Sequence, residues 1–456
     1  MTRRLCPLAV VLLLAIAAGC EAGPSAFDRG APRGPEDTAD ASALPPIPQA
    51  ADVETLQVDT GAMWGGQADT LPGTEATTSL EPLVFQRPEH VRGIYLNAWA
   101  AGSARRLGAL LELARKTEVN AFVIDIKDAS GYVSHRTEVP LAQEVGATGE
   151  IRVRDLPGLL RRLHAEGIYP IARIVIVQDP ILAAGRPDLA IQDRNGGVFK
   201  DGKGIVWLNP YDQRIWDYNL ALAREVAQMG FPEIQWDYVR FPDIPASEKA
   251  RAVYPGAGET PQHQVIADFL GSSRRQLADL GVVVTADVFG VTTSASRDVG
   301  IGQLWESLID EVDVALPMVY PSHYWRGSFG YQRPNAFPYE VVKRALQDAL
   351  RRSAAVEGAG ATRPWLQNFT LGQPRYGAPE IRAQIQAAYD VGILEWILWN
   401  PGSRYTEEAL EPVGGFAEEP WIRVGGQVVP VSRRSAVLDS LEGPARTSAD
   451  TARAPR

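Results

Sequence analysis

The residues able to do chemistry fall in short polar clusters, each at the end of an apolar run: Asn97-Ala-Trp99, Asp125-Ile-Lys127-Asp128, Trp236-Asp237-Tyr238-Val239-Arg240, Asp287-Val-Phe-Gly290, Tyr320-Pro-Ser-His323-Tyr324, Gln367-Asn368 and Trp399-Asn400. Carboxylates and aromatic rings dominate. Glycosidic bond cleavage uses this pairing, with one carboxyl group protonating the leaving oxygen and a second attacking the sugar or activating water. Trp and Tyr faces would hold the sugar rings. Other chemistries find little support. The five histidines (90, 135, 164, 263 and 323) are scattered, with no zinc-type spacing. No Gly-x-Ser-x-Gly turn or phosphate loop is present, so neither a serine nucleophile nor a nucleotide cofactor is expected. No metal or cofactor is expected at all.

Apolar runs that end in polar clusters must be positioned by something that makes those ends converge. The runs are Arg92–Trp99, Ala121–Asp128, Tyr169–Val177, Glu233–Phe241, Val282–Gly290, Asp313–Tyr320, Pro364–Thr370 and Ile393–Asn400. Each is continuous in hydrophobicity, as suits parallel strands covered on both faces. Amphipathic helical stretches alternate with them: Ala104–Thr117, Leu156–Glu166, Gln213–Met229, Gln264–Leu280, Ile301–Ile309, Glu340–Arg352 and Pro379–Asp390. Asp155-Leu-Pro157 reads as a helix start, and Gly167, Gly230, Gly281 and Gly392 stand where helices end. Eight strand–helix units without a Gly-x-Gly-x-x-Gly turn predict an α/β fold, a closed (β/α)8 TIM barrel rather than an open doubly wound sheet. In such a barrel the strand C-termini form one cleft. The long loop after the third strand, residues 178–211, would lie on that face.

The first twenty residues speak to compartment. Arg3 and Arg4 precede an apolar run, Leu8–Ala18, that ends in Ala17-Ala-Gly-Cys20. This reads as a lipoprotein signal peptide, residues 1–19, with Cys20 carrying the lipid. An ordinary secretory signal is the alternative. Cysteine arithmetic favours the lipid, because the chain's other cysteine is Cys6, inside the signal. An exported bacterial lipoprotein is therefore expected, anchored to a membrane, with the outer membrane or cell surface favoured.

Residues 20–86 read as a disordered acidic linker. Ten of the acidic residues and only two arginines lie between Glu21 and Leu80, so nearly all of the formal net charge of −10 belongs there. Residues 87–415 form the barrel and hold nine of the eleven tryptophans. Residues 416–431 carry a hairpin signal around Gly425-Gly426, and 432–456 read as a disordered tail. No basic patch suggests nucleic acid. The expected partners are a carbohydrate and the membrane, with the protein a monomer.

The stretch Ile234-Gln-Trp-Asp237-Tyr-Val-Arg240-Phe-Pro242 resembles the fourth-strand motif of a bacterial family of TIM barrels named for a putative glycosyl hydrolase domain. That family is distantly similar to the α-amylase and α-galactosidase groups. Arg92-Gly-Ile-Tyr-Leu-Asn97, Val-Ile-Asp125-Ile-Lys127-Asp128, Ala-Asp287-Val-Phe-Gly290 and Leu-Pro-Met-Val-Tyr320-Pro agree with it. The resemblance covers essentially the whole barrel and implies Asp237 as nucleophile. Departures from the α-amylase pattern are Gln235 where an Arg stands two residues before the nucleophile, Asp287 in place of a Glu acid, and Asn368 where an Asp ends the seventh strand. The α-galactosidase pattern has an Asp on strand six, where Tyr320 and His323 stand here.

Asp237 and Asp287 are thus the candidate catalytic pair. Asn97, Trp99, Asp125, Lys127, Trp236, Tyr238, Arg240, Tyr320, His323, Asn368, Trp399 and Asn400 are the candidate substrate contacts. Asp237 could instead form a structural ion pair with Arg240, and Asp125 with Lys127, which shares its strand face. Glu395, near the start of the last strand, reads as structural. The expected function is a glycoside hydrolase acting on a polysaccharide. A non-catalytic carbohydrate-binding or envelope-structural barrel is the alternative.

Overall fold

The computed structural model describes residues 83–442. Eight parallel strands run in chain order around a closed barrel: β1 (Arg92–Leu96), β2 (Ala121–Lys127), β3 (Tyr169–Val175), β4 (Glu233–Asp237), β5 (Val283–Phe289), β6 (Val314–Met318), β7 (Trp365–Gln367) and β8 (Trp396–Trp399). Trp365 pairs with Met318 on one side and Ile397 on the other, which closes the ring between β6 and β8. β8 returns to β1 through Arg92 and Trp396. All eight predicted strands are present and all are shorter than predicted, because the polar residues at their ends turn away into loops instead of pairing. Asn97, for example, accepts from the Ala100 amide and starts the short helix Ala98–Ala101.

Two apolar layers hold the barrel, and side-chain alternation along each strand assigns residues to them. On β4, Ile234 and Trp236 point outward and pack under helix Gln262–Leu277, while Glu233, Gln235 and Asp237 point inward. On β5, Val284, Ala286 and Val288 face out and Asp287 faces in. The outer layer is continuous and almost wholly aliphatic and aromatic. Each of its fully buried large side chains contributes roughly 1.5–3 kcal/mol relative to exposure. The inner layer is smaller: Val123, Ile171, Val314, Leu316 and Ile397 plug the middle of the barrel. At its N-terminal end Arg363 joins Glu233 (2.6 Å) and Glu395 (2.9 Å), and Arg87 completes the cluster on Glu395. Glu395 is therefore tied into the end of the barrel away from the catalytic face, as its position near the start of β8 suggested.

The helices fall where periodicity placed them, at Ala104–Lys116, Leu156–Ala165, Gln213–Gln228, Gln262–Leu277, Trp305–Leu308, Pro338–Ser353 and Ala378–Asp390. Asp155 caps its helix by accepting from the Gly158 amide at 2.8 Å, with Pro157 in the first turn. Gly281 takes the left-handed conformation (φ +65°) that ends the helical segment before β5. No helix of the described residues is long and apolar enough to cross a membrane.

Two boundaries differ from the sequence reading. The linker expected through residue 86 gives way to packed chain at Leu83. Leu83 rests against Gly230, and Phe85 meets the edge of His164 at 5.3 Å. The tail expected from residue 432 instead begins with helix Arg434–Glu442, whose Arg434 binds Asp390 at 2.6 Å. The amphipathic spacing there is too brief to stand out, and docking supplies the stability. Between barrel and helix, Trp421–Val424 and Gln427–Pro430 form an antiparallel hairpin, with Arg423 fixed on Glu380 at 2.7 Å. Cys20 and most of the expected linker lie outside the described residues.

Candidate active site

At the C-terminal ends of the strands, Asp237 and Asp287 face a narrow cleft with a free volume of about 10 Å³. Arg173, Tyr238, Arg240, Phe289, Met318, Tyr320, Trp365 and Trp399 complete its walls. Register explains the convergence. Val175 of β3 is level with Asp237 of β4, and Trp236 is level with Ala286, so Asp237 and Asp287 come out of the barrel at the same height on neighbouring strands.

Arg173 organises the carboxylates. Its Nη1 donates to Asp125 Oδ1 at 2.5 Å, and its Nε and Nη2 donate to Asp237 Oδ2 at 2.9 and 2.5 Å. Its Nε also lies 4.0 Å from Asp287 Oδ2. The guanidinium is flanked by the Tyr95 and Trp399 rings, 5.4 and 5.2 Å from their centroids, and those rings stack on each other at 4.1 Å. Asp237 Oδ1 accepts from the Tyr238 amide at 2.5 Å. Tyr238 itself is a non-glycine residue at φ +50°. A bulky side chain in that conformation is strained, which is typical of backbone held for function.

The three carboxylates are not equivalent. Asp287 Oδ1 accepts from Trp365 Nε1 at 2.6 Å, and the Gln235 amide donates to both of its oxygens at 2.9 and 3.0 Å. Burial and then the neighbouring charge of Asp237 drive its carboxyl well above the usual range, against the opposing pull of Arg173. Burial thus biases Asp287 towards its protonated form, while the donors Trp365 and Gln235 pull the other way. Asp125, which accepts from the Tyr95 hydroxyl, is pushed up to about 6, chiefly by burial. Tyr320 is held neutral by burial and by the two nearby carboxylates.

The remaining candidates divide. Tyr238, Arg240, Tyr320 and Trp399 line the cleft with the carboxylate pair, and Asp125 lies behind it on Arg173. His323 meets the Tyr320 ring edge-on at 5.2 Å, with its Nδ1 on Ser322 Oγ at 3.0 Å. Asn97, Asn368 and Asn400 hold loops together: Asn97 donates to the Pro401 carbonyl, and Asn400 bonds Asn368, Gly402 and Arg404. Trp99, 55 % exposed, stands in a separate groove beside Arg152.

Several expectations are corrected. Trp236 points away from the cleft: its ring packs on Phe269 and its Nε1 donates to Ser273 at 3.0 Å. Strand parity requires this, since Asp237 next to it faces in. Lys127 does not pair with Asp125, because the strand shifts register between them. It is fully buried on Asp179 (2.7 Å) and above the Tyr218 ring, so it cannot reach a substrate in the cleft. Asp237 pairs with Arg173 and not with Arg240. Asp128 is taken by Arg152 and Asp179 by Lys127, which removes both as alternative acids.

Arg173, Tyr95 and Trp365 were not singled out from sequence. Arg173 had a visible signal, a lone charge inside the apolar run Tyr-Pro-Ile-Ala-Arg-Ile-Val, since a charge buried in a two-faced strand demands partners. The guanidinium absent at position 235 thus comes from β3, which frees Gln235 to hold Asp287. Among the described residues no group of three or more His, Cys, Asp or Glu is placed to hold a metal ion.

Comparison with known proteins follows the same line. No curated protein matches the chain. Among solved structures, a hypothetical protein from Ruminiclostridium thermocellum is 37% identical over 43% of this chain and 97% of its own, with a TM-score of 0.39. The glycoside hydrolase domain of PgaB (BpsB) from Bordetella bronchiseptica is 13% identical, covering 69% of this chain and 95% of its own, at a TM-score of 0.49. That of PelA from Pseudomonas aeruginosa is 14% identical, covering 70% and 97%, at 0.39. Residues 93–405 match the family described as "Putative glycosyl hydrolase domain", and the chain belongs to that family.

Proposed function

We propose that the protein hydrolyses glycosidic bonds of a polysaccharide, with Asp287 as proton donor and Asp237 as nucleophile. The observation that carries this is the unequal pair: on adjacent strands of one cleft, Asp287 is driven to stay protonated while Asp237 is gripped by Arg173. Asp287 gives its proton to the glycosidic oxygen as the C–O bond breaks, and an Asp237 oxygen forms a bond to the anomeric carbon. Water then attacks that carbon and gives a proton back to Asp287, which releases the sugar and restores both groups. Both Oδ2 atoms lie close to one nitrogen, at 2.9 and 4.0 Å, so they are no further apart than the sum of those distances. That bound admits the separation of about 5–5.5 Å used by retaining enzymes and nearly excludes the wider inverting range of about 6.5–9.5 Å.

One observation favours a binding barrel without turnover: Asp125 and Asp237 are both engaged by Arg173 within the protein itself. Turnover separates the readings. Asp237→Asn and Asp287→Asn are each expected to lower hydrolysis of a responsive glycan by about 10²–10⁴ while glycan binding persists. The double variant should be little worse than either single one. Because the donor works only when protonated, activity should fall as pH rises through the Asp287 pKa, and that limb should vanish in Asp287→Asn. Full activity in Asp237→Asn would end the hydrolase reading. The lipid attachment at Cys20 is part of the same proposal and puts the barrel at a membrane surface, where an extracellular polysaccharide would be met.

A further inference from the structure

Arg240 is the charge in the cleft that the two-carboxylate mechanism leaves unused. It is 3 % exposed, and its guanidinium carbon stands 4.9 Å from the Trp207 ring centroid, 4.9 Å from Tyr238 and 4.7 Å from Phe289. The loop after β3 delivers Trp207, whose Nε1 is fixed on Asp201 at 3.0 Å. The left-handed turn at Tyr238 follows directly on Asp237 and leads the chain to Arg240. An arginine offers five N–H donors. Among the described residues, those of Arg240 find one acceptor, the Phe241 carbonyl at 3.0 Å.

The other deeply buried arginines of the barrel interior are provided for differently. Arg173 holds Asp125 and Asp237, and Arg363 holds Glu233 and Glu395, all at 2.5–2.9 Å. Arg240 has no carboxylate within 4 Å among the described residues, although Asp243, Asp237 and Asp201 are near enough to act on it. Burial lowers its pKa from the ordinary value, the mark of a cation that lost more hydration than it regained. Three ring faces offset part of that loss. They supply no hydrogen-bond acceptors. With Arg173 paired to Asp237, Arg240 is the cation lining the cleft that has no carboxylate within 4 Å among the described residues.

We propose that the cleft selects a sugar carrying an anionic group next to the scissile bond, and that Arg240 binds that group. The fork of a guanidinium matches the two oxygens of a carboxylate, as on a uronic acid, and also accepts a sulfate ester. This rests on the hydrolase reading for its placement beside the scissile bond, but not for the anion site itself.

The test uses the wild-type chain first. Calorimetric titrations at fixed ionic strength compare sodium glucuronate, its uncharged methyl ester and galactose 6-sulfate. One of the two anionic sugars should bind about tenfold more tightly than the ester, the scale of a charged hydrogen-bond pair. Which of them binds more tightly identifies carboxylate or sulfate as the natural group. Arg240→Gln, with its melting curve checked, should abolish the difference, and Asp237→Asn should keep or increase it. Binding of both anionic sugars no tighter than that of the ester, or no saturable binding of either anion, overturns the proposal. The wild-type comparison decides even if Arg240→Gln fails to fold. Hydrolysis of neutral glycans that depends on Asp237 and Asp287 but ignores Arg240 would leave the hydrolase reading standing and sink this one. Discrimination between acid and ester without turnover on any glycan would do the reverse.

Discussion

Replacing Arg173 with Gln removes the cation that Asp125 and Asp237 share inside the barrel. Asp125 and Asp237 would lose charge-assisted contacts of 2.5–2.9 Å in a site with almost no solvent, and Asp287 would lose its attraction at 4.0 Å. Breaking a buried ion pair from one side costs about 3–5 kcal/mol, because the remaining charge stays buried without a partner. The loss should depend on pH in a definite direction. Without Arg173, the folded-state pKa of Asp125 rises still further above its unfolded value. Groups raised on folding contribute stability at low pH and lose it as pH rises through the folded pKa, at about 1.4 kcal/mol per pH unit for each carboxylate. Asp125 is already pushed up to about 6 in the wild type, so its share of the gap opens only above that pH. Urea unfolding of wild type and Arg173→Gln at pH 4.5 and pH 7.5 measures the gap. The gap should reach about 3–5 kcal/mol at the higher pH and shrink to less than half of that at the lower. A gap that is the same at both pH values would mean the side chain acts by packing alone, and the electrostatic account of the site would be wrong.

Other consequences are more local. Trp236→Ala should cost about 3–5 kcal/mol by opening a cavity under helix Gln262–Leu277, and leave glycan binding unchanged, since the ring faces away from the cleft. A chain starting at Gln86 loses Leu83 and Phe85 and should unfold about 2 kcal/mol more easily than one starting before Leu83, which denaturant titration would show. Cys20→Ser should abolish metabolic lipid labelling and move the protein out of the membrane fraction. Unchanged detergent partitioning would refute the anchor.

The fold was legible because parallel barrel strands are buried on both faces, which leaves eight uninterrupted apolar runs separated by amphipathic helices. Strand ends were overestimated for a related reason. Residues such as Asn97 and Tyr320 continue the β-prone pattern, yet Asn97 leaves the sheet to cap a helix and Tyr320 begins a short helical turn over Pro321–His323. Composition does not reveal that switch. The short helix after residue 432 and the docked segment at Leu83 escaped notice because tertiary contacts, not their own periodicity, stabilise them.

The site was legible in part, and the division follows side-chain parity. Asp237, Tyr238, Arg240, Asp287, Tyr320 and Trp399 line one cleft, as their places at or near strand ends suggested, where a barrel gathers its polar groups. Trp236 was misplaced because proximity to Asp237 in sequence was given more weight than alternation across the strand. Lys127 was misplaced because a register shift after Asp125 interrupts the alternation, and nothing in Asp-Ile-Lys announces it. Arg173 was passed over because it lies inside its strand instead of at its end. Yet its position sets it against Asp237 and farther from Asp287. A cation at the mouth would be hydrated and screened. One turn lower, between Tyr95 and Trp399, it is desolvated, reaches Asp237 directly and stays 4.0 Å from Asp287. Burial and then the charge of Asp237 push the Asp287 carboxyl up, against the pull of Arg173 and of the donors Trp365 and Gln235. In the proposed mechanism, two chemically identical side chains on adjacent strands take different roles, and Arg173 grips only one of them directly.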